Sequence, residues 1–369
     1  SAESICIWLA AFSSAVAVVL AVLALAMSGC GSSSSEVNTV YGRRSGKGAT
    51  SVNGTSVLAR MFHNAGHRVK TRGRSGGNIE DCDVIVWAPD RFTPPTDEER
   101  EEIYNWINGG YGRTFIYIGR DYDAAVEYWN HAADAALNAE TSDAPASADT
   151  TEEYLRRRAS ETSRFETARA NIPDDEDVAW FTVSRDHPNA RVTKFDGPWS
   201  RSFDPEETEI WTRSRFEIPT DATAERDPYF FDENKVYRDV LLAAAAGDEN
   251  ADDDPFDETG GFQAEEGIPL VTRVTHPHWN DGAVVVVSNG SFLLNLPLVN
   301  HEHRKIASVL IDECGSDRLQ VAFWDSDTFS PADATAEQHH QWAILTIWPL
   351  NIVMLHLGAL GIVFLIWKY

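Results

Sequence analysis

Residues 82–118 read CDVIVWAPDRFTPPTDEEREEIYNWINGGYGRTFIYI, and the succession of patterns within them decides the fold. Cys82–Ala88 is a short, nearly unbroken apolar run, the pattern of a strand buried on both faces. Thr96 with Glu99 three residues on is a capping box that opens a helix reaching Trp106. Asn108-Gly109-Gly110 stops that helix, and Thr114–Ile118 is a second buried run. Strand, helix, strand at this pitch predicts a parallel sheet covered by helices.

The same alternation extends outward. On the N-terminal side, Val37–Tyr41 reads as a strand, and Asn53–Ala65 as a helix with Val57, Leu58, Met61 and Phe62 at helical spacing. Gly66 suits a helix C-terminal cap, and His67–Thr71 reads as the next strand. On the C-terminal side, Asp123–Ala139 and Thr151–Ala170 read as helices around a Ser/Ala/Asp/Pro-rich break at 141–149. Trp180–Ser184, Arg191–Phe195 and Glu209–Ile218 are strand-like, and the acidic stretch 248–266 is expected to be mobile and solvated. Ile268–Val274 and Ala283–Ser288 form a hairpin through Asn280-Asp281-Gly282. A helix at 301–313 and a strand at Leu319–Trp324 close the series. The expectation is a three-layer α/β fold with a mostly parallel sheet, its core in 37–135 and 268–330, and an α+β insertion at 136–267.

Two longer apolar stretches flank this core. Residues 5–27 and 342–367 would each make a helix of about 35 Å, enough to cross a hydrocarbon layer of about 30 Å. The first runs into Met27-Ser28-Gly29-Cys30-Gly31 and a Ser-rich tether at 31–36, which resembles a bacterial lipoprotein signal with Cys30 as the lipidation candidate. No Lys or Arg stands ahead of the apolar run, so an uncleaved transmembrane anchor remains the alternative. The second stretch reads as a transmembrane helix over 342–368, with Trp342, Trp348, Trp367 and Tyr369 at interfacial positions and Lys368 at a cytoplasmic end. Both readings place the domain outside a bacterial plasma membrane, with the lipid bilayer itself as a partner.

Charge narrows the partners. The net charge is −26, which disfavours nucleic acid. It is unevenly spread: eight basic residues and no acid lie between Arg43 and Arg74, and nine acids and no base between Ala243 and Glu266. Two of the four cysteines lie in or beside the first apolar stretch, which leaves Cys82 and Cys314 in the intervening part, and their spacing demands no bridge.

Several pieces together resemble the bacterial membrane-anchored domain-of-unknown-function 4350 family, whose ectodomain is related to flavodoxin-like and class I glutamine-amidotransferase-like folds. They are Tyr41-Gly42 with Ser51-Val52-Asn53-Gly54-Thr55, the strand Asp83–Pro89 with its helix, and Gly282–Asn295 with Asn300. The resemblance implies an extracytoplasmic three-layer domain and the company of a MoxR-type AAA ATPase system. It implies no reaction and no cofactor. An amidotransferase needs a nucleophile on the turn after the third or fourth strand. Gly119-Arg120-Asp121-Tyr122-Asp123 holds neither Cys nor Ser.

Three candidate sites remain. Gly42-Arg43-Arg44-Ser45-Gly46-Lys47-Gly48 lacks P-loop spacing. As a basic, glycine-rich turn before a helix it is an anion-binding candidate, with Arg43, Arg44, Lys47, Ser51 and Asn53. Asp121, Asp123, Asp325 and Asp327 follow strands, where ligands approach open α/β sheets, and could serve a hydrolase or carbohydrate-active domain as acid and base. His276-Pro-His278 and His301-Glu302-His303 have metal-ligand types but divergent geometry, so no metal is expected. The reading favoured by the sequence is a non-enzymatic binding or scaffold domain. The carboxylate hydrolase and an anionic-ligand sensor are the alternatives.

Overall fold

The computed structural model describes residues 37–73, 78–139, 148–170, 176–178, 181–184, 190–212, 215–217, 237–245 and 267–331. Both flanking apolar stretches, Cys30 and the acidic run 248–266 lie outside them. Among the described residues no helix is long and apolar enough to cross a membrane.

An eight-stranded sheet organises the chain. Its parallel half contains β1 (Arg68–Arg72), β2 (Val84–Trp87), β3 (Thr114–Ile118), β12 (Ala283–Val287) and β13 (Gln320–Trp324). Its antiparallel part contains β7 (Phe195–Asp196), β10 (Tyr237–Ala244) and β11 (Ile268–Thr275). The spatial order is β1-β13-β2-β3-β12-β11-β10-β7, with the four pairings from β1 to β12 parallel. Two small sheets pair β4 (Glu176–Val178), β5 (Phe181–Ser184) and β9 (Arg215–Glu217), and β6 (Ala190–Val192) with β8 (Ile210–Thr212).

Side-chain alternation explains why the central strands read as continuous apolar runs. Val84, Val86, Ile116, Ile118, Val285, Val287, Val321 and Phe323 point to one face. There they meet α1 (Ser56–Asn64) through Leu58 and Phe62, and α5 (His301–Glu313) through Ile306 and Leu310. Ile85, Trp87, Phe115, Tyr117, Val284, Val286, Ala322 and Trp324 point to the other. That face is covered by Ile103, Trp106 and Ile107 of α2 (Asp97–Asn108) and by Phe329. Each side chain buried in this way contributes roughly 1.5–3 kcal/mol. The Thr96–Glu99 capping box forms as the spacing predicts. The Asn280-Asp281 turn has positive φ at both residues, 47° and 61°, as at the centre of a type I′ turn, and lies within a longer loop between the paired Thr275 and Ala283.

One expectation needs revision. Val37–Tyr41 is not a strand. The second slot of the parallel half is taken by β13, whose Val321 and Phe323 fill the space beside β1 and β2. The 38–42 segment instead runs against its own downstream loop, with Val52 donating to the Asn38 carbonyl (3.0 Å) and Gly42 to that of Asn53 (2.9 Å). Within 136–267, β7 and β10 extend the main sheet. The segment also supplies α4 (Ala148–Ala170), which packs on α3 (Ala124–Ala139).

Candidate functional site

The C-terminal ends of the parallel strands collect most of the residues singled out by the sequence, and they meet each other there. Asp325 and Asp327 leave β13. The basic turn lies over them. Backbone N–H groups of Arg44 and Ser45 each donate to the Asp325 carboxylate at 2.9 Å, and the Ser45 hydroxyl also donates to it. The Arg43 guanidinium reaches Asp327 at 2.7 Å, and that of Arg44 reaches Thr71 at 2.7 Å. The anion expected at this turn is therefore the protein's own carboxylate.

The glycines of the turn serve this closeness. Gly42 has φ +64°, and a Cβ there would lie 1.8 Å from the Ala88 carbonyl oxygen. A Cβ at Gly48 would lie 2.2 Å from that of Arg43. They let the 42–48 loop seat on the end of β2 and fold back on itself. A 3-10 turn at Gly46–Thr50 separates the basic turn from α1. Lys47 points into solvent.

Ser51 and Asn53 belong to a second network. The Ser51 hydroxyl accepts from the Asn53 N–H (3.1 Å). Buried Asn53 donates to Asp123 at 2.7 Å and accepts from the Ala124 N–H at 2.7 Å, so it holds the start of α3. The first turn of α1 is capped from afar, its Val57 N–H donating to Asn295 at 2.8 Å. Four of the five anion-site candidates therefore divide between two clusters, Lys47 joins neither, and the α1 N-terminus is occupied.

Between the clusters lies Arg120, which the sequence reading passed over as the wrong residue for a nucleophile. Its side chain is 7% exposed. It pairs with Asp123 at 3.0 Å and Asp90 at 3.2 Å, and donates to the Tyr122 carbonyl. The guanidinium sits 3.9 Å from the centre of the Tyr41 ring, 5.0 Å from Phe92 and 5.6 Å from Phe165. Burial, opposed by the Arg120 charge, pushes the Tyr41 phenol well above its ordinary range. A sequence signal existed: an arginine one glycine beyond a buried strand, followed closely by two aspartates, must find partners at the strand end.

The fourth acid, Asp121, is buried and accepts from Arg169 of α4 at 3.0 Å. Arg164 of the same helix lies 3.9 Å from Asp123. All four strand-end acids are thus engaged by this chain's own donors, and Asp90 joins the two halves by accepting from Arg120 and by its N–H donating to Asp327 at 3.1 Å.

The histidine candidates go elsewhere. Buried His303 approaches the Pro297 carbonyl with Nδ1 (2.9 Å) and accepts from the Glu209 N–H with Nε2 (3.2 Å), which fixes a neutral ring. Burial lowers its pKa. Glu302 accepts from the Asp204 N–H at 2.6 Å. Both therefore brace the 204–209 loop. The His276 and His278 rings stand 5.2 Å apart beside the hairpin turn. Among the described residues no group of His, Cys, Asp and Glu could hold a metal.

No described protein family, curated protein or solved structure matches this chain.

The arrangement has chemical consequences. A general acid–base pair needs a carboxyl group free to exchange protons with a substrate. Here each acid neutralises a guanidinium or caps backbone N–H groups. Cys82 and Cys314 are free but buried, and burial raises their thiol pKa values to about 11 and about 12, so neither supplies a thiolate nucleophile.

Proposed function

We propose that this chain is a non-enzymatic, extracytoplasmic binding or scaffold domain of a bacterial membrane-associated assembly. One observation carries the reading: where open α/β sheets accept ligands, Asp121, Asp123, Asp325 and Asp327 are all paired within the chain. A surface organised in this way holds a shape and presents it, and its four described strand-end acids are each engaged by this chain's own donors.

The finer parts of the proposal rest on sequence. The flavodoxin-like or amidotransferase-like ancestry, the likeness to the 4350 family and the company of a MoxR-type AAA ATPase come from the motif resemblance. Membrane attachment, through a lipidated Cys30 or a spanning 5–27 and through 342–368, comes from the two apolar stretches.

Cross-linking and mass spectrometry of the tagged protein, captured from its native membranes, tests the reading. The expected result is a reproducible partner set containing an ATPase system or other envelope proteins. Capture without any partner, with an in vivo phenotype abolished by Asp325→Asn and Asp327→Asn together, would replace it with the carboxylate hydrolase.

A further inference from the structure

Strand β1 forms one edge of the main sheet, and among the described residues it pairs with β13 alone. The Arg68 N–H donates to the Leu319 carbonyl at 2.8 Å, and the Arg72 carbonyl accepts from the Asp325 N–H at 2.7 Å. Backbone groups alternate sides along a strand. Arg68, Lys70 and Arg72 therefore turn theirs toward β13, and Val69 and Thr71 turn theirs outward. The outward row is the template that any edge strand offers to another chain. The opposite edge ends on β7, which is two residues long and offers far less.

The side chains of this edge are cationic. Arg68, Lys70 and Arg72 share one face of β1, while Val69 and Thr71 share the other, where Val69 packs on the core. Lys70 at 3.0 Å and Arg72 at 3.7 Å both turn to a single exposed carboxylate, Asp81. Arg68 is exposed and has no ion pair among the described residues. Arg318, also exposed, stands two positions before Gln320, the register partner of Arg68. Arg43 and Arg44 of the same basic stretch are used by the chain itself, but this row keeps an excess of positive charge on a chain of net charge −26. Charged side chains guard an edge against indiscriminate pairing. Here they repel a second copy, which would bring the same three cations, and favour a strand of opposite sign.

We infer that the open edge of β1 takes an extended, acidic segment of a partner protein as an added strand of the main sheet. The inference names the partner chemistry for the binding-domain reading and rests on it. Main-chain bonds to Val69 and Thr71 set the register, and acids at alternate positions meet the row of Arg68, Lys70 and Arg72. The residues between those acids continue the apolar face that Val69 begins. One carboxylate leaves the charge of three cations in excess, and that excess is what the added strand neutralises.

The probe is a fluorescent heptapeptide of alternating glutamate and valine, titrated against the full chain. Binding is expected to weaken at least ten-fold when Arg68→Glu and Lys70→Glu are combined, and to weaken as salt rises. The same peptide methylated at every backbone nitrogen keeps its charge but loses its main-chain donors, and it is expected to bind the unaltered chain at least ten-fold more weakly. Amide exchange across residues 68–72, read by mass spectrometry, is expected to slow when the unmethylated peptide binds. Equal binding by the methylated peptide, or binding that leaves exchange at 68–72 unchanged, overturns the inference, since charge alone is then at work. Exchange already slow throughout 68–72 without peptide also overturns it, because the edge is then covered from within the chain or by a second copy, which sedimentation distinguishes. If the doubly substituted chain does not fold, the methylated peptide decides, since it leaves the protein unaltered. The broader scaffold reading is judged separately, by partner capture with the unaltered chain, and survives failure here.

Discussion

At the N-terminal ends of β2 and β3 the Arg113 guanidinium ties neighbouring segments together and pairs with the exposed Glu80 carboxylate at 3.3 Å. Arg113 donates to the carbonyls of Trp106 and Glu80 and lies 5.2 Å from the centre of the Trp106 ring. At the C-terminal ends of the same region five guanidiniums crowd together, those of Arg43, Arg44, Arg120, Arg164 and Arg169, most of them facing carboxylates. Backbone links across the fold also close the first end: the Gly112 N–H donates to the Asn280 carbonyl at 2.9 Å and the Asp83 N–H to that of Gln320 at 2.9 Å. The second end is closed by side-chain pairs as distant as Arg43 and Asp327, 284 positions apart. An end that only has to terminate strands needs carbonyls and turns, whereas one that gathers buried charge needs each charge paired.

Substitutions that separate the two ends test the contrast, beginning with the deepest charge. Arg120→Ala leaves Asp123 buried without its main counter-charge and is expected to cost about 3–5 kcal/mol. Urea unfolding measures this, and a loss under about 1 kcal/mol would mean that the C-terminal cluster is ornamental.

Glu127, in the first turn of α3, extends the same end. Burial raises its pKa to about 7, against an opposing pull from His131. Between the unfolded value near 4.5 and about 7 the native state holds a proton that the unfolded chain has released, so stability falls as pH rises through that window and then levels. The ceiling on this loss is about 3 kcal/mol. Glu127→Gln is expected to flatten the slope of melting temperature between pH 5 and 8. An unchanged slope assigns it to other groups.

Asn53→Ala removes the side chain that joins Asp123 to the Ala124 N–H and is expected to cost about 1–3 kcal/mol. Chemical denaturation is the readout, paired with hydrogen exchange at the start of α3, where the opening should be confined. At the other end, Arg113→Ala leaves the buried Trp106 carbonyl and the Glu80 carbonyl without their donor and frees the exposed Glu80 carboxylate, and about 1–3 kcal/mol is the expected loss. Were Arg113→Ala to match Arg120→Ala in the same titration, the two ends would not differ in kind.

Much of the fold was legible because local signals and burial agree. The runs at 84–87 and 114–118, the Thr96–Glu99 box, the Asn280-Asp281-Gly282 turn and the helix at 301–313 all stand where their patterns place them. Val37–Tyr41 misled because Tyr41 is buried for a different reason, as the ring beneath Arg120, and a five-residue apolar pattern cannot say what buries it. The site was legible in parts and misjudged as a whole. Arg43, Arg44, Asp325 and Asp327 were all singled out, but as two rival sites, because nothing local indicates that a loop at 42–45 meets a loop at 325–327. Asp121 and Asp123 were named without Arg120, Arg169 or Asn53 as their partners for the same reason. His303 carried a ligand's residue type into a bracing role that only the 204–209 loop reveals.

The late arrival of β13 reaches beyond topology. Among the described residues β1 pairs with no strand but β13, and β2 has β13 as one of its two neighbours. During synthesis the first edge of the sheet therefore waits some 250 residues for its match, and a nascent chain displays the flank of β2 until residues 320–324 emerge. The same pairing of distant segments gives a high contact order and slow closure. A chain whose edge strand waits for β13 can complete this sheet only after residues 320–324 have been made.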